Sequence, residues 1–298
     1  MFRHLICFSL AAAFLLFAQS GLAQTNISGI VNDYASVTAI DPCNNTLTVA
    51  STAGFSPGDK VLLIQMKGAS INSSNSSSYG TINDYNEAGN YEFATIASIS
   101  GTTITPQFAL QRSYDANQPI QLVRIPTYTN ATINSMLTSA DWNGSTGGIL
   151  VLECSDTLFV NAAIDLSGKG FRGGTDYMSN YNCTWLQTSG NFYYSLTSDP
   201  GRGAWKGEGI TAFISGKELG KGPQASGGGG GNDHNAGGGG GGNAGTGGQG
   251  GQRTMATTFE CKGQHPGMGG RAVTYNNTNN KIFLGGGGGA GHRNNNFA

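Results

Sequence analysis

Charged side chains are scarce in this chain: Asp, Glu, Lys and Arg make up 11% of 298 residues, against about 25% in an ordinary soluble domain. The formal net charge is -1, and so neutral a surface gives no electrostatic footing for nucleic acid or an anionic membrane. Past residue 23 no run of about 18 apolar residues occurs, so no membrane insertion is expected beyond that point. Cysteine is sparse, five in all, and no Cys-x-x-Cys pair exists, which argues against zinc.

Catalytic patterns are missing as well. Strings such as Gly168-Lys169-Gly170 running on to Gly173, and Gly201-Arg202-Gly203, do not sit between a buried strand and a helix as a dinucleotide site requires. Gly216-Lys217 and Gly220-Lys221 lack the Ser or Thr that completes a phosphate loop. The carboxylates Asp156, Asp165, Asp176 and Glu208 show no spacing of a paired acid/base site. His234, His265 and His292 lie among glycines with no carboxylate cluster beside them and read as solvated loop histidines. The expectation is a protein that is not an enzyme, with no cofactor and no metal.

What the chain has is glycine, 49 residues of it. Residues 227–251 read GGGGGNDHNAGGGGGGNAGTGGQGG, 16 glycines in 25 positions, and GGGGGAG follows at 285–291. One reading is a flexible linker. The other is a bundle of polyglycine II helices, threefold extended chains whose bare backbones approach closely enough to bond to one another. Glycine loses the most backbone entropy on ordering, so only a laterally bonded array could hold such tracts. Asn, Asp, His, Ala, Thr and Gln separate the glycines and serine is nearly absent, which favours the bundle over an ordinary spacer.

Arg3 and His4 precede an apolar run over residues 5–18 and a small-residue exit at Gly21-Leu22-Ala23, the layout of a secretory signal peptide at 1–23. Cleavage is expected after Ala23, with Ser20 as a second option; loss of Arg3 takes Lys+Arg from 16 to 15 against Asp+Glu 17 and the net charge to -2. The last residues, GGGGGAGHRNNNFA, contain neither strand nor cap, and the natural product is expected to continue past residue 298. Four cysteines survive cleavage. In an exported chain they favour disulfides, for which Cys183 with Cys261 and Cys43 with Cys154 are the expected pairs, a long closed loop restricting the unfolded chain by roughly 4 kcal/mol.

Residues 24–128 read as a β-rich module, a small barrel or sandwich. Its strands are expected at 45–50, 60–66, 91–99, 102–105 and 120–125, with a turn at 55–59 and a hairpin at Ser100-Gly101. The polar stretch 69–90 reads as a long loop, either binding or mobile. Residues 129–146 read as a linker with one helical turn within 130–140. Over 147–174 the β runs 149–153, 157–160 and 163–166 repeat like coils of a parallel β-helix, which the glycine insertion would interrupt. Residues 175–298 are aromatic and glycine-rich; Phe192, Tyr193, Tyr194, Trp205 and Phe213 either stack on sugar rings or cover a glycine bundle. The expected class is all-β: a small barrel or sandwich, then the start of a parallel β-helix with a polyglycine II-like insertion.

The segments CNNTLTVASTAGFSPGDKVLLIQMKGASI, GGILVLECSDTLFVNAAIDLSGKGFRGG and GGGGGNDHNAGGGGGG together resemble the N-terminal region of large secreted cell-surface proteins of Bacteroidetes-type bacteria, associated with type IX secretion and gliding motility. That resemblance implies surface localisation and an adhesin-like role, with no catalytic residues to carry over. In pattern the glycine block is also similar to the glycine-rich domains of the anaplastic lymphoma kinase ectodomain and of phage tail-fibre tip adhesins, where polyglycine II helices form a platform for recognition loops. By that analogy the exposed turns would be 232–236, 243–246 and 252–262, making Asn232, Asp233, His234, Asn235 and Asn243 candidate ligand contacts. The leading functional expectation is a secreted structural or adhesin-like protein whose partners are glycans or other cell-surface molecules. The alternative is the N-terminal part of a secreted β-helix carbohydrate-active enzyme with its catalytic residues beyond 298.

Overall fold

A computed structural model of the chain describes residues 24–175, 177–178, 190–199, 201–232, 235–252, 264–274 and 280–293. The secretory segment, Cys183, Cys261, Asp233 and His234 lie outside the described residues. Among the described residues every regular element is a strand: β1 (Thr25–Ile30), β2 (Tyr34–Asp41), β3 (Thr46–Val49), β4 (Lys60–Gln65), β5 (Ser70–Ile71), β6 (Ile82–Asp84), β7 (Tyr91–Ser100), β8 (Thr103–Pro106), β9 (Ile120–Ile125), β10 (Thr127–Thr138), β11 (Glu153–Val160), β12 (Tyr177–Met178) and β13 (His292–Arg293). The all-β expectation holds.

Strands β2, β3, β8, β7, β4 and β9 close into an antiparallel barrel. Its interior is filled by Leu47, Val61, Leu63, Ile104, Ile120 and Leu122. The run Val61-Leu62-Leu63-Ile64 in β4 is buried at every position, where a half-solvated strand would alternate. The reason is that both faces of β4 are covered: Val61 and Leu63 point into the barrel, while Leu62 and Ile64, with Val123 and Ile125 of β9, pack outward against Trp142, Phe171, Ile210 and Phe283. Gly58 and Gly101, at φ +92° and +58°, make the turns that the sequence places there.

The barrel is an insertion into a second layer. β1 pairs in parallel with β10, and β10 in parallel with β11; one further parallel bridge joins Leu137 to Ile164. These are stacked rungs. They begin at residue 25, so the expected boundary of the β-rich module at 24 and the first rung at 147 are both corrected. The expected linker with a helical turn at 130–140 is corrected too: it is part of β10, flanked by partners on both sides, with Ala131, Ile133 and Leu137 fully buried. Pairing on two edges outweighs the weak local helical preference of that stretch. The run at 149–152 is not a strand either. It is held by the Asn32 side chain, whose Nδ2 donates to Val151 O at 2.6 Å while Val151 N donates back to Asn32 Oδ1 at 3.2 Å. The same Nδ2 reaches Arg124 O at 2.9 Å, so one amide ties the entry and exit of the barrel to the rungs.

The glycine tracts are an ordered lattice. Gly228 and Gly231 donate their N–H groups to Gly287 and Ala290, Gly229 and Asn232 to Met268 and His265, and Gly230 to Gly220, all at 2.8 to 2.9 Å. Successive residues therefore point to three different neighbours, and every third residue returns to the same one, which is the signature of a threefold extended helix. Gly239 and Gly242 bond back to Gly229 and Ser226, and Gly286 and Gly289 to Gly242 and Gly239. Side chains are excluded by space: a Cβ on Gly229 would lie 1.9 Å from Lys221 O, and one on Gly289 2.0 Å from Gly229 O. Of the two readings the sequence leaves open, the bonded bundle is the one adopted.

Candidate ligand-binding cleft

The stretch 69–90, which the sequence leaves as binding or mobile, fastens the barrel to the bundle. Tyr79 is fully buried, and a Cβ on Gly222 would come within 2.5 Å of its ring, so the glycine makes the seat for the tyrosine. Arg271 donates from NH2 to Ser77 O at 3.0 Å and Tyr79 O at 2.8 Å. Lys281 Nζ bonds Asn86 O, Ala88 O and Asn90 Oδ1. Beneath Tyr79, Lys206 donates to the carbonyls of Phe192, Gly220 and Gly222.

Where the tract 247–251 lies along the tract 267–271, bonded through Gly247 to Gly270 and Gly250 to Gly267, a cleft of about 480 Å³ opens. That volume is within the range of small-ligand sites. Gly247 and Gly269 leave it free of side chains along part of its length, and Phe192 supplies an aromatic face with Lys221 Nζ 4.6 Å from its centroid. Exposed Gln249, Gln264, Ser77 and Thr246 supply amides and hydroxyls; Arg271 and His265 complete the polar lining. Burial pushes the Arg271 guanidinium below its ordinary value. A ring face beside several convergent hydrogen-bonding groups suits a hydroxyl-rich ring.

The sequence-derived contact residues fare unevenly. Asn235 and Asn243 are exposed at turns, Asn235 at φ +58°, a conformation asparagine tolerates. Asn232 is fully buried, a correction. Its backbone continues the threefold lattice into His265 and its Nδ2 donates to Asn191 O, so it is the last rung of a tract and not part of a turn. None of these three lines the cleft. Thr246, from the expected turn 243–246, does, as do Gln264 and His265 just past the expected turn 252–262. Phe192 belongs to the aromatic run that the sequence marks; Gln249, Gln264 and Arg271 carry no sequence signal, because the lattice brings them together from tracts that look alike.

The expected Cys43–Cys154 disulfide is not made: both are free thiols. Cys43 is exposed in the turn after β2, where Asp41 Oδ1 accepts its N–H, whereas Cys154 lies in β11 and points its Sγ at the carbonyls of Thr129 and Thr157 at 3.4 and 3.2 Å.

Of the carboxylates that the sequence singles out, Asp176 lies outside the described residues, and Glu208 and Asp165 are held in different ways. Glu208 is buried at the junction of barrel and bundle, where its two oxygens accept from Trp142 Nε1 at 2.9 Å, from Arg172 N at 3.2 Å and from Arg172 NH2 at 2.5 Å, with Lys67 Nζ 3.5 Å away. Burial pushes this carboxyl up, but the bonds from Arg172 and the charge of Lys67 outweigh it and hold it below its ordinary value. Burial lowers Lys67 despite the opposing pull of Glu208. Such a carboxylate is committed to ion pairs and has no proton to donate near neutral pH. Asp165 is turned outward, its Oδ1 capping Ser167 N at 2.8 Å. No group of three or more His, Cys, Asp or Glu that could hold a metal occurs among the described residues.

A second hollow, about 490 Å³, lies between the barrel and β11. Phe93 and Phe108 border it, 64% and 75% exposed, and its one ion pair, Lys60 with Glu153 at 2.6 Å, is self-neutralised. With few polar groups to fix an orientation, it is the weaker candidate for a specific ligand.

Among the described residues no helix is long and apolar enough to cross a membrane. No protein-family model matches the chain, and no curated protein does. Among solved structures it is similar to the Gp54 tailspike of Acinetobacter baumannii bacteriophage AP22 in complex with A. baumannii capsular saccharide, at 14% identity over 52% of this chain and 27% of that one, TM-score 0.25. It is also similar to tailspike gp49 of Pseudomonas phage LKA1, at 16% identity over 38% of this chain and 19% of that one, TM-score 0.22. A third likeness is to tailspike gp61 of Pseudomonas phage phi297, at 15% identity over 52% and 25%, TM-score 0.22. The chain spans at most 27% of the length of these tailspikes.

Proposed function

We propose that this chain is a secreted, non-enzymatic cell-surface protein in which a rigid glycine bundle presents a saccharide-binding cleft. The observation that carries the reading is the cleft itself: an aromatic face, side-chain amides and hydroxyls converge on backbone that the lattice holds fixed. Preorganised backbone reduces the ordering that a ligand must bring about, which is the physical use of a lattice under a binding site. The signal-peptide layout of residues 1–23 and the likeness to large glycine-rich surface proteins point to the same compartment and role. Glu208, closed within its ion pairs, and Asp165, turned outward, give no support to a glycosidase reading of this part of the chain.

The test is an oligosaccharide array probed with the full secreted chain, followed by calorimetry on the hits for wild type, Phe192→Ala and Gln249→Ala. We expect micromolar to millimolar binding that falls at least about tenfold in both variants at unchanged melting temperature, tenfold corresponding to about 1.4 kcal/mol. Binding that both variants retain, or glycan cleavage abolished by Asp165→Asn, overturns the reading.

A further inference from the structure

We infer that the cleft selects acidic saccharides, of the carboxylate-bearing uronic-acid class, over neutral ones; this rests on the saccharide-binding reading above. The charge of its lining is one-sided. Lys221, Arg271 and His265 contribute to it, and no Asp or Glu among the described residues does. This is not a consequence of composition, since the whole chain has a formal net charge of -1.

Several cations elsewhere find carboxylates: Lys60 has Glu153, Arg124 has Asp33, Lys169 has Asp141 and Arg172 has Glu208. Arg271, like Lys217 and Lys281, bonds backbone oxygens instead. Its guanidinium is held by two backbone carbonyls, those of Ser77 and Tyr79, and no carboxylate among the described residues lies within ion-pair distance of it. Burial then acts on it without a compensating charge. A guanidinium fixed in this way keeps its planar fork in one orientation, which matches a planar carboxylate. Lys221 is placed by its stacking on Phe192, so a pyranose ring near Phe192 would carry its carboxylate toward the two cations.

The experiment is calorimetry on the full chain with two probes of equal length, an oligogalacturonate and the corresponding neutral galactose oligomer, at 50 and 500 mM sodium chloride. The expected result is at least about tenfold tighter binding of the acidic probe, a preference that shrinks severalfold at the higher salt as screening grows. Because Arg271 also holds the 77–79 loop, its removal can disturb the fold; the charge test is therefore Lys221→Gln, expected to lower affinity for the acidic probe severalfold more than for the neutral probe. Arg271→Lys, which keeps the charge and removes the fork, is expected to reduce the preference by less. Equal binding of both probes, or a Lys221→Gln variant with an unchanged preference, overturns the inference while leaving saccharide binding in place. Failure of both probes and of the array overturns the saccharide reading with it.

Discussion

Lys206 Nζ lies 4.5 Å from the centroid of the Tyr79 ring, and it is this pair that joins the barrel's longest loop to the floor of the glycine bundle. Lys206 is 1% exposed and Tyr79 wholly buried. The three protons of an ammonium match the three carbonyls it meets, those of Phe192, Gly220 and Gly222, and no carboxylate takes part. Burial drives Lys206 well below the ordinary lysine value, while the carbonyls and the ring face stabilise its charge.

Lys206→Met keeps the apolar stem and removes all three donors. Gly220 O and Phe192 O keep the N–H groups of Gly230 and Gly222, but the buried Gly222 O loses its donor, so a loss of about 1 to 3 kcal/mol is expected, read by denaturant melts at pH 7. Faster amide exchange should appear at Gly220 and Gly230, which bond along the same tract. A variant as stable as wild type would mean that the lysine only fills space.

Glu208 sets the acid limit. Its folded carboxyl sits below the ordinary value of 4.5, so the unfolded chain takes up the proton first. The stabilisation is fully present above about pH 4.5 and is lost as pH falls through the folded value. Glu208→Gln removes the partner of Lys67 and Arg172 and leaves a buried ammonium uncompensated, which is expected to lower stability at pH 7 by about 3 kcal/mol. It should also flatten the decline below about pH 4.5. Urea melts from pH 3 to pH 7 on both proteins check the two effects, and parallel pH curves would refute the assignment.

The free thiols are separable by rate. Iodoacetamide on the native protein is expected to modify the exposed Cys43 first and Cys154, half-buried and directed at two carbonyls, at least about tenfold more slowly, because the thiolate needs access as well as ionisation. Peptide mass spectrometry reads both sites. Finding Cys43 and Cys154 linked in the secreted protein would contradict the arrangement described.

Five of the six barrel strands were legible because their causes are local, while β2 (Tyr34–Asp41) was not among the strands expected. Ile120 to Ile125 and the run from Lys60 are β-branched and apolar between turn residues, and Gly58 and Gly101 mark the turns. β10 was not legible: Asn130 to Thr138 has mixed preference, and its strand comes from β1 and β11 on either side, partners about 100 and 25 residues away in sequence. For the same reason the barrel could not be recognised as an insertion. In the glycine tracts the period of three resides in hydrogen-bond direction and not in side chains, so sequence could suggest a bundle but could not say which tract touches which. The cleft inherits that limit. Phe192 could be suspected as an aromatic among glycines; Arg271 and Gln249 become neighbours only through the lattice.

The lattice makes a sharp distinction between glycines that look identical in sequence. At Gly229 a methyl group would stand 1.9 Å from Lys221 O, a backbone atom that cannot swing aside, and the residue also both donates to Met268 and accepts from Gly239. Gly229→Ala is therefore expected to separate at least three tracts, destabilising by more than about 3 kcal/mol as overpacking without relaxation, or to prevent accumulation of folded protein. At Gly248 nothing lies within 4 Å of the position of a Cβ and φ is not positive. Gly248→Ala should be neutral or stabilise by about 0.4 to 1 kcal/mol, through the lower entropy of the unfolded chain. A flexible linker would respond to both substitutions alike, so similar melting temperatures for the two variants would refute the bundle, and a wide separation between them would be hard to obtain from any arrangement in which these backbones are not in contact.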